Sequence, residues 1–250
     1  MKRRARYGAI GFLLAALLAT ATGPRAETPS PSPDGLEKAI RDFIMKNPQV
    51  IREALEKAEL DEQLANTKRV LKSHRDQLYG AGSPVLGNPD GKVAIVEFYD
   101  YNCPYCRSVH GKLKEVLKRH PDTRLVLKDI ATFGKDSEAV GKVVLAAGKQ
   151  GKLPELHEAL MAVKGKATEA SAFDLARKLG LNIDKLKKDA ALPELAKQIE
   201  DARNLANSLG VNGTPLFLIG HNGIPGAPED LTEQINKFVA DVRQNGCEVC

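Results

Sequence analysis

Apolar positions between residues 36 and 78 recur at helical spacing: Leu36, Ile40, Phe43 and Ile44, then Ile51 and Leu55, then Leu64, Leu71 and Leu78. Asn47-Pro48 separates two of these groups. A residue before proline avoids the helical region, so one helix is expected to end there and the next to open. Leu64, Leu71 and Leu78 are seven apart, a coiled-coil interval, but of the companion positions Leu60, Thr67 and His74 one alone is apolar. A long coiled coil is therefore not supported. The stripe still needs a partner. A helical hairpin packed on its own domain and an oligomerisation arm over residues 36–80 satisfy it equally.

The pattern changes after residue 78. Residues 79–91 are turn-rich, with Gly80, Gly82, Pro84, Gly87 and the run Asn88-Pro89-Asp90-Gly91. Residues 93–99 form a β-branched and aromatic run broken only by Glu97, which predicts a buried strand. Residues 104–120 predict a helix with Val109, Leu113, Val116 and Leu117 on one face, and 123–130 a second strand. From about 137 to 209 the pattern is mostly helical, broken at Gly151, Pro154, Gly165 and Gly180. A short strand at 216–219 follows Gly213-Thr214-Pro215, and 230–244 is a final helix. Strands flanking a long helical block give an α/β class with a helical insertion.

Composition narrows the class. Charged residues at 28% and apolar residues at 42% exclude a polytopic membrane protein, a disordered chain and a collagen. The formal charge of +5 invites a nucleic-acid reading, but its position argues otherwise. Lys2, Arg3, Arg4 and Arg6 precede a charge-free stretch from Tyr7 to Gly23 and a small-residue exit at Ala19-Thr20-Ala21. That is the pattern of a secretory signal peptide over 1–21, with a second cut at Ala26. The alternative, a membrane anchor, would need a longer apolar run. Cleavage after Ala21 leaves 33 basic against 32 acidic side chains, a net of +1. The expected mature protein is nearly neutral and periplasmic, with no nucleic-acid partner, and export places it where disulfides persist. Residues 27–35, rich in Pro and Ser, read as an extended linker.

The four cysteines fall in two Cys-x-x-Cys pairs, Cys103/Cys106 and Cys247/Cys250. The first pair lies where the predicted strand runs into the predicted helix. The first turn of a helix has unpaired N–H groups and a positive dipole end, and both stabilise a thiolate at Cys103. Pro104 at the first helical position loses no hydrogen bond. A zinc site would need further ligands at closer spacing, and a purely structural bridge is the remaining alternative. Glu97 has apolar neighbours; buried, its carboxyl would be pushed up and could relay the proton of Cys106, whereas facing solvent it would do neither. Thr214-Pro215 opens a strand, which fits a cis bond presenting backbone groups to an extended peptide; an ordinary trans turn is the alternative.

The stretch Val96-Glu97-Phe98-Tyr99-Asp100-Tyr101-Asn102-Cys103-Pro104-Tyr105-Cys106 resembles the active-site segment of DsbA-family thiol–disulfide oxidoreductases, which have a thioredoxin fold. Val211-Asn212-Gly213-Thr214-Pro215-Leu216-Phe217 resembles that family's cis-proline segment, and residues 146–162 its inserted helical domain. The resemblance covers about residues 83–242. Residues 36–78 resemble the N-terminal region of the Scs-type (suppressor of copper sensitivity) branch, which includes oligomeric disulfide isomerases. The resemblance implies a thioredoxin-like domain over 83–245, with the helical arm before it. It implies Cys103 as attacking cysteine, Cys106 as resolving cysteine, Glu97 as buried acid, and Thr214 and Pro215 against the substrate. It implies cysteine-containing protein substrates, a membrane redox partner protein and no cofactor.

Two features depart from the family. Tryptophan is absent, and Cys247-Glu248-Val249-Cys250 lies outside the family core. This 246–250 segment reads as a spare disulfide, a relay dithiol or a soft-metal clip for copper. His110, one turn beyond Cys106, reads as an ordinary helix side chain, and His74, His120, His157 and His221 show no ligand spacing.

Overall fold

The structure, a computed structural model, describes residues 33–80 and 82–250. The expected signal peptide, its two cut sites and residues 27–32 of the expected linker lie outside the described residues. The chain divides into two compact units, Met1–Glu56 and Lys57–Cys250.

In the first unit, α1 spans Pro33–Lys46. It begins inside the stretch read as linker: proline suits a first helical position, and Asp34 in the first turn complements the helix dipole. None of its residues is buried, and Leu36, Ile40 and Phe43 are exposed. The break falls at Asn47, whose amide donates to the Phe43 carbonyl at 2.8 Å. Next, α2 runs over Pro48–Ser73 and passes into the second unit.

The second unit starts earlier than the domain boundary read near residue 83. Leu71 near the end of α2 and Leu78 in α3 (Arg75–Tyr79) are buried in one cluster with Val96, Phe98 and Val126. The turn-rich residues 79–91 therefore follow part of the core rather than preceding it. The sheet has five strands: β1 Val85–Gly87, β2 Val93–Tyr99, β3 Thr123–Asp129, β4 Leu216–Ile219 and β5 Asn222–Pro225, in the order β1-β3-β2-β4-β5. Strand β2 is parallel to β3 and antiparallel to β4, and the edge strands pair antiparallel. The parallel pair is joined through α4, Pro104–Arg119. Strands β1 and β5 escape the periodicity reading because three or four residues carry no measurable alternation, and Gly223 and Pro225 argue against a strand. Hairpin β4–β5 turns on Gly220, whose φ of 59° suits a two-residue primed turn.

Every residue of the central strand β2 is buried, since both faces of the sheet are covered. Its alternation sorts the core. Val93, Ile95 and Tyr99 face a large cluster with α4, the helical insertion and α10 (Leu231–Asn245). Val96 and Phe98 face the cluster of Leu71 and Leu78 on the other side. Period two puts Glu97 on the first face, the one that also holds Cys103 and Cys106. The insertion comprises α5 Lys135–Gly148, α6 Leu153–Met161, α7 Glu169–Lys178, α8 Ile183–Ala190 and α9 Pro193–Ser208. Helix α5 is its centre, packing against the other four.

Candidate functional site

Strand β2 ends by delivering Asp100, Tyr101 and Asn102 to the start of α4. Asp100 is fully buried, and the Arg107 guanidinium interacts with its charge. Its carboxylate accepts from the Asn102 amide at 2.6 Å, the Ser137 hydroxyl at 2.7 Å and the Phe133 amide at 2.8 Å. Three donors satisfy buried carboxyl oxygens that would otherwise be costly. The Asp100 carbonyl accepts the Cys103 amide at 3.1 Å. Asn102 reaches the insertion: its side chain donates to Ser137 Oγ at 3.0 Å and to the Ala167 carbonyl at 3.1 Å, and accepts the Ala167 amide at 2.8 Å. Arg107 donates to the carbonyls of Tyr101, Val163 and Gly165. The loop before Cys103 is thus tied to both ends of the 162–168 connection.

Cys103 is the N-cap of α4, with Pro104 in the first turn. Both Cys103 and Cys106 are buried free thiols. The Cys103 thiol is lowered from 9.0 to about 6, first by the hydrogen bond from the Cys106 thiol, with help from Thr214 and the Cys106 and Tyr105 backbone, and against burial. The same hydrogen bond, burial and the Glu97 carboxyl push Cys106 upward. The pair is therefore polarised: one sulfur is a thiolate near neutrality and the other keeps its proton.

Glu97 is 1% exposed, and neither carboxyl oxygen has a hydrogen-bond partner. Burial, and then the Cys103 charge, raise it from 4.5 to about 8. The Thr214-Pro215 bond is cis, and the Thr214 carbonyl lies 3.2 Å from Cys103 Sγ. The Thr214 hydroxyl is buried without a partner. The fold thus gathers Cys103, Cys106, Glu97, Thr214 and Pro215, which span more than a hundred residues of sequence. Beside them Tyr105 and Phe133 are exposed. The Phe133 loop follows Ala131, a non-glycine residue at φ 44°.

Cys247 and Cys250 stand elsewhere and are joined in a disulfide, which leaves neither sulfur free to hold a metal. Two histidines pack near the site. His157 is fully buried, accepts or donates at Nδ1 to the Tyr101 hydroxyl at 2.9 Å, and burial lowers it to about 3. His110 turns inward, its ring 5.2 Å from that of His157. Asp100, Asn102, Arg107 and Ser137 were not singled out from sequence. The available signal was a run of polar residues closing an apolar strand directly before the cysteines.

A buried, polarised cysteine pair at a helix start, faced by a cis-proline loop on a thioredoxin-like sheet, defines the class of thiol–disulfide oxidoreductases. The model of the DSBA-like thioredoxin domain matches residues 94–236, and the chain belongs to that family. Among solved structures, the chain is similar to a thioredoxin-like oxidoreductase from Silicibacter pomeroyi, with 38% identity, a TM-score of 0.65, and 68% of this chain and 98% of that one covered. It is also similar to Proteus mirabilis ScsC in a transitional conformation, with 28% identity, a TM-score of 0.64, and 85% and 97% covered. Thiol:disulfide interchange protein DsbA of Bordetella pertussis is 23% identical over 151 residues, 58% of this chain and 71% of that protein. The chain also matches Na(+)/H(+) antiporters of the NhaA type, of whose length it spans 22–25%. Among the described residues, no helix is long and apolar enough to cross a membrane.

Proposed function

We propose that the protein is an exported, periplasmic thiol–disulfide oxidoreductase that forms or isomerises disulfides in other proteins through Cys103 and Cys106. The observation that carries this reading is the polarisation of the pair, with Cys103 held near 6 at the start of α4 and Cys106 pushed the other way. The thiolate is the nucleophile of exchange and also the better leaving group.

As an oxidant, the Cys103–Cys106 disulfide is attacked at Cys103 by a substrate thiolate. The S–S bond breaks, Cys106 leaves and takes up a proton, and a mixed disulfide forms. A second substrate thiolate then attacks the substrate's own sulfur and expels Cys103 as a stabilised thiolate. Two electrons pass to the protein, and a membrane redox partner restores the disulfide. As an isomerase, the Cys103 thiolate attacks a substrate disulfide and is later expelled by another substrate thiol, with no net electron transfer. Cys106 gives escape from a trapped mixed disulfide, and Glu97 accepts its proton: a carboxyl near 8 matches that task at neutral pH. Thr214 and Pro215 hold the substrate strand through the backbone at their cis bond.

The exposed Leu36, Ile40, Phe43 and Leu55 support a homo-oligomer formed through residues 36–80. Several copies around one substrate would favour isomerase use. Insulin reduction and refolding of scrambled ribonuclease test the core of the reading. Cys103→Ser is expected to abolish both; survival of either activity in that variant sinks it.

A further inference from the structure

Cys247 and Cys250 take no part in the chemistry above, yet the structure surrounds them with specific contacts. Their sulfurs are bonded to each other, and both residues are half-buried. Between them the chain points two ways. Val249 is 1% exposed and packs in the cluster of Leu71, Leu78, Val96 and Phe98. Glu248 turns outward, its two carboxylate oxygens 2.6 Å from Lys72 Nζ and 3.0 Å from Lys68 Nζ. Those lysines are neighbours on one face of α2. Arg75 donates from Nε to the backbone oxygen of Cys250. One short turn therefore grips the end of α2 by an apolar plug and two ion pairs, and the start of α3 by a backbone hydrogen bond. All these residues lie within the unit Lys57–Cys250.

The ring closed by this disulfide is very small. Cross-linking so short a loop removes little entropy from the unfolded chain, so its global effect is slight. Its local effect is larger. An open turn would have to order its backbone before Val249 and Glu248 reached α2 together, and that ordering opposes every contact of the grip.

We propose that Cys247–Cys250 is a second thiol–disulfide site, reduced by soluble dithiols, whose oxidised form clasps the end of α2 and whose reduced form lets it go. A dithiol thiolate attacks one sulfur, the S–S bond breaks, and the other cysteine leaves and is protonated. The dithiol's second thiolate resolves the mixed disulfide and departs as a cyclic disulfide. Two electrons and two protons end on Cys247 and Cys250.

The test uses the full chain carrying Cys103→Ser and Cys106→Ser, so that only the second pair responds and the reading of the first pair is not at stake. Amide hydrogen exchange is followed before and after dithiothreitol. Reduction is expected to speed exchange around Leu71 by about tenfold and leave β2 and β4 unchanged. Adding Cys247→Ser and Cys250→Ser should reproduce the reduced pattern and remove any response to dithiothreitol. Glu248→Gln in the oxidised protein should give an intermediate rate, since the ring and Val249 stay in place. Equal exchange in oxidised and reduced protein overturns the clasp. A thiol count showing that dithiothreitol does not open the disulfide in the folded protein overturns the site.

Discussion

Hydrogen bonds lower the Cys103 thiol against burial, whereas burial raises the Glu97 carboxyl, and their pH dependences oppose each other. The Cys103 thiol falls from 9.0 to about 6 on folding. A depressed group contributes stability that is complete above its unfolded value, so in the reduced protein this contribution is full above about 9 and is lost as pH falls through about 6. Glu97 rises from 4.5 to about 8. Its contribution is full below 4.5 and is lost as pH rises through about 8. Alkylation of Cys103 in the reduced protein is therefore expected to accelerate through a midpoint near 6. A midpoint near the ordinary thiol value would remove the polarised pair. Glu97→Gln should flatten the loss of stability between pH 4.5 and 8, measured by denaturant unfolding across that range. It should also slow release of the mixed disulfide at Cys103, because Cys106 then lacks its proton acceptor.

Helix α4 and the insertion meet at two polar residues, Asp100 and Asn102. Asn102 makes one hydrogen bond to α5 through Ser137 and two to Ala167 ahead of α7. A buried hydrogen bond contributes about 1 kcal/mol, and leaving its partner unsatisfied costs about 1–3 kcal/mol. Asn102→Ala is accordingly expected to cost about 2–4 kcal/mol in denaturant unfolding. The same variant should shift the alkylation midpoint of Cys103, because the loop that places its amide on the Asp100 carbonyl is loosened. Ser137→Ala should have the smaller effect, since Asp100 keeps two amide donors. A loss of stability in Asn102→Ala with an unmoved midpoint would confine Asn102 to holding the insertion.

For the whole molecule, the open question is what covers the apolar positions of residues 33–56. Leu36, Ile40 and Phe43 recur at helical spacing on α1 and are all exposed. Light scattering of the full chain is expected to give an oligomer, and Ile40→Asp with Phe43→Asp a monomer. The monomer should keep insulin reduction and lose scrambled-ribonuclease isomerisation. A monomeric full chain would remove the oligomer from the proposal. Truncation at residue 83 is a poorer experiment, because it deletes Leu71 and Leu78 from the core of the catalytic unit.

What the sequence determined by itself is local. The strand 93–99, the helix after Cys103, the insertion and the cysteine spacing were legible because burial on both sheet faces and helical periodicity leave their mark on contiguous residues. Cys103, Cys106, Glu97, Thr214 and Pro215 were legible as two separated motifs. Only the tertiary structure decided the rest. Whether Glu97 faced core or solvent depended on the strands at its sides, Leu127 and Phe217 being its neighbours in the sheet. That Leu71 and Leu78 join the cluster of Val96 and Phe98, and that Glu248 and Val249 hold α2 from the far end of the chain, are contacts between separate elements. No local pattern encodes them, because a side chain's partner is set by where the chain returns and not by its neighbours in sequence.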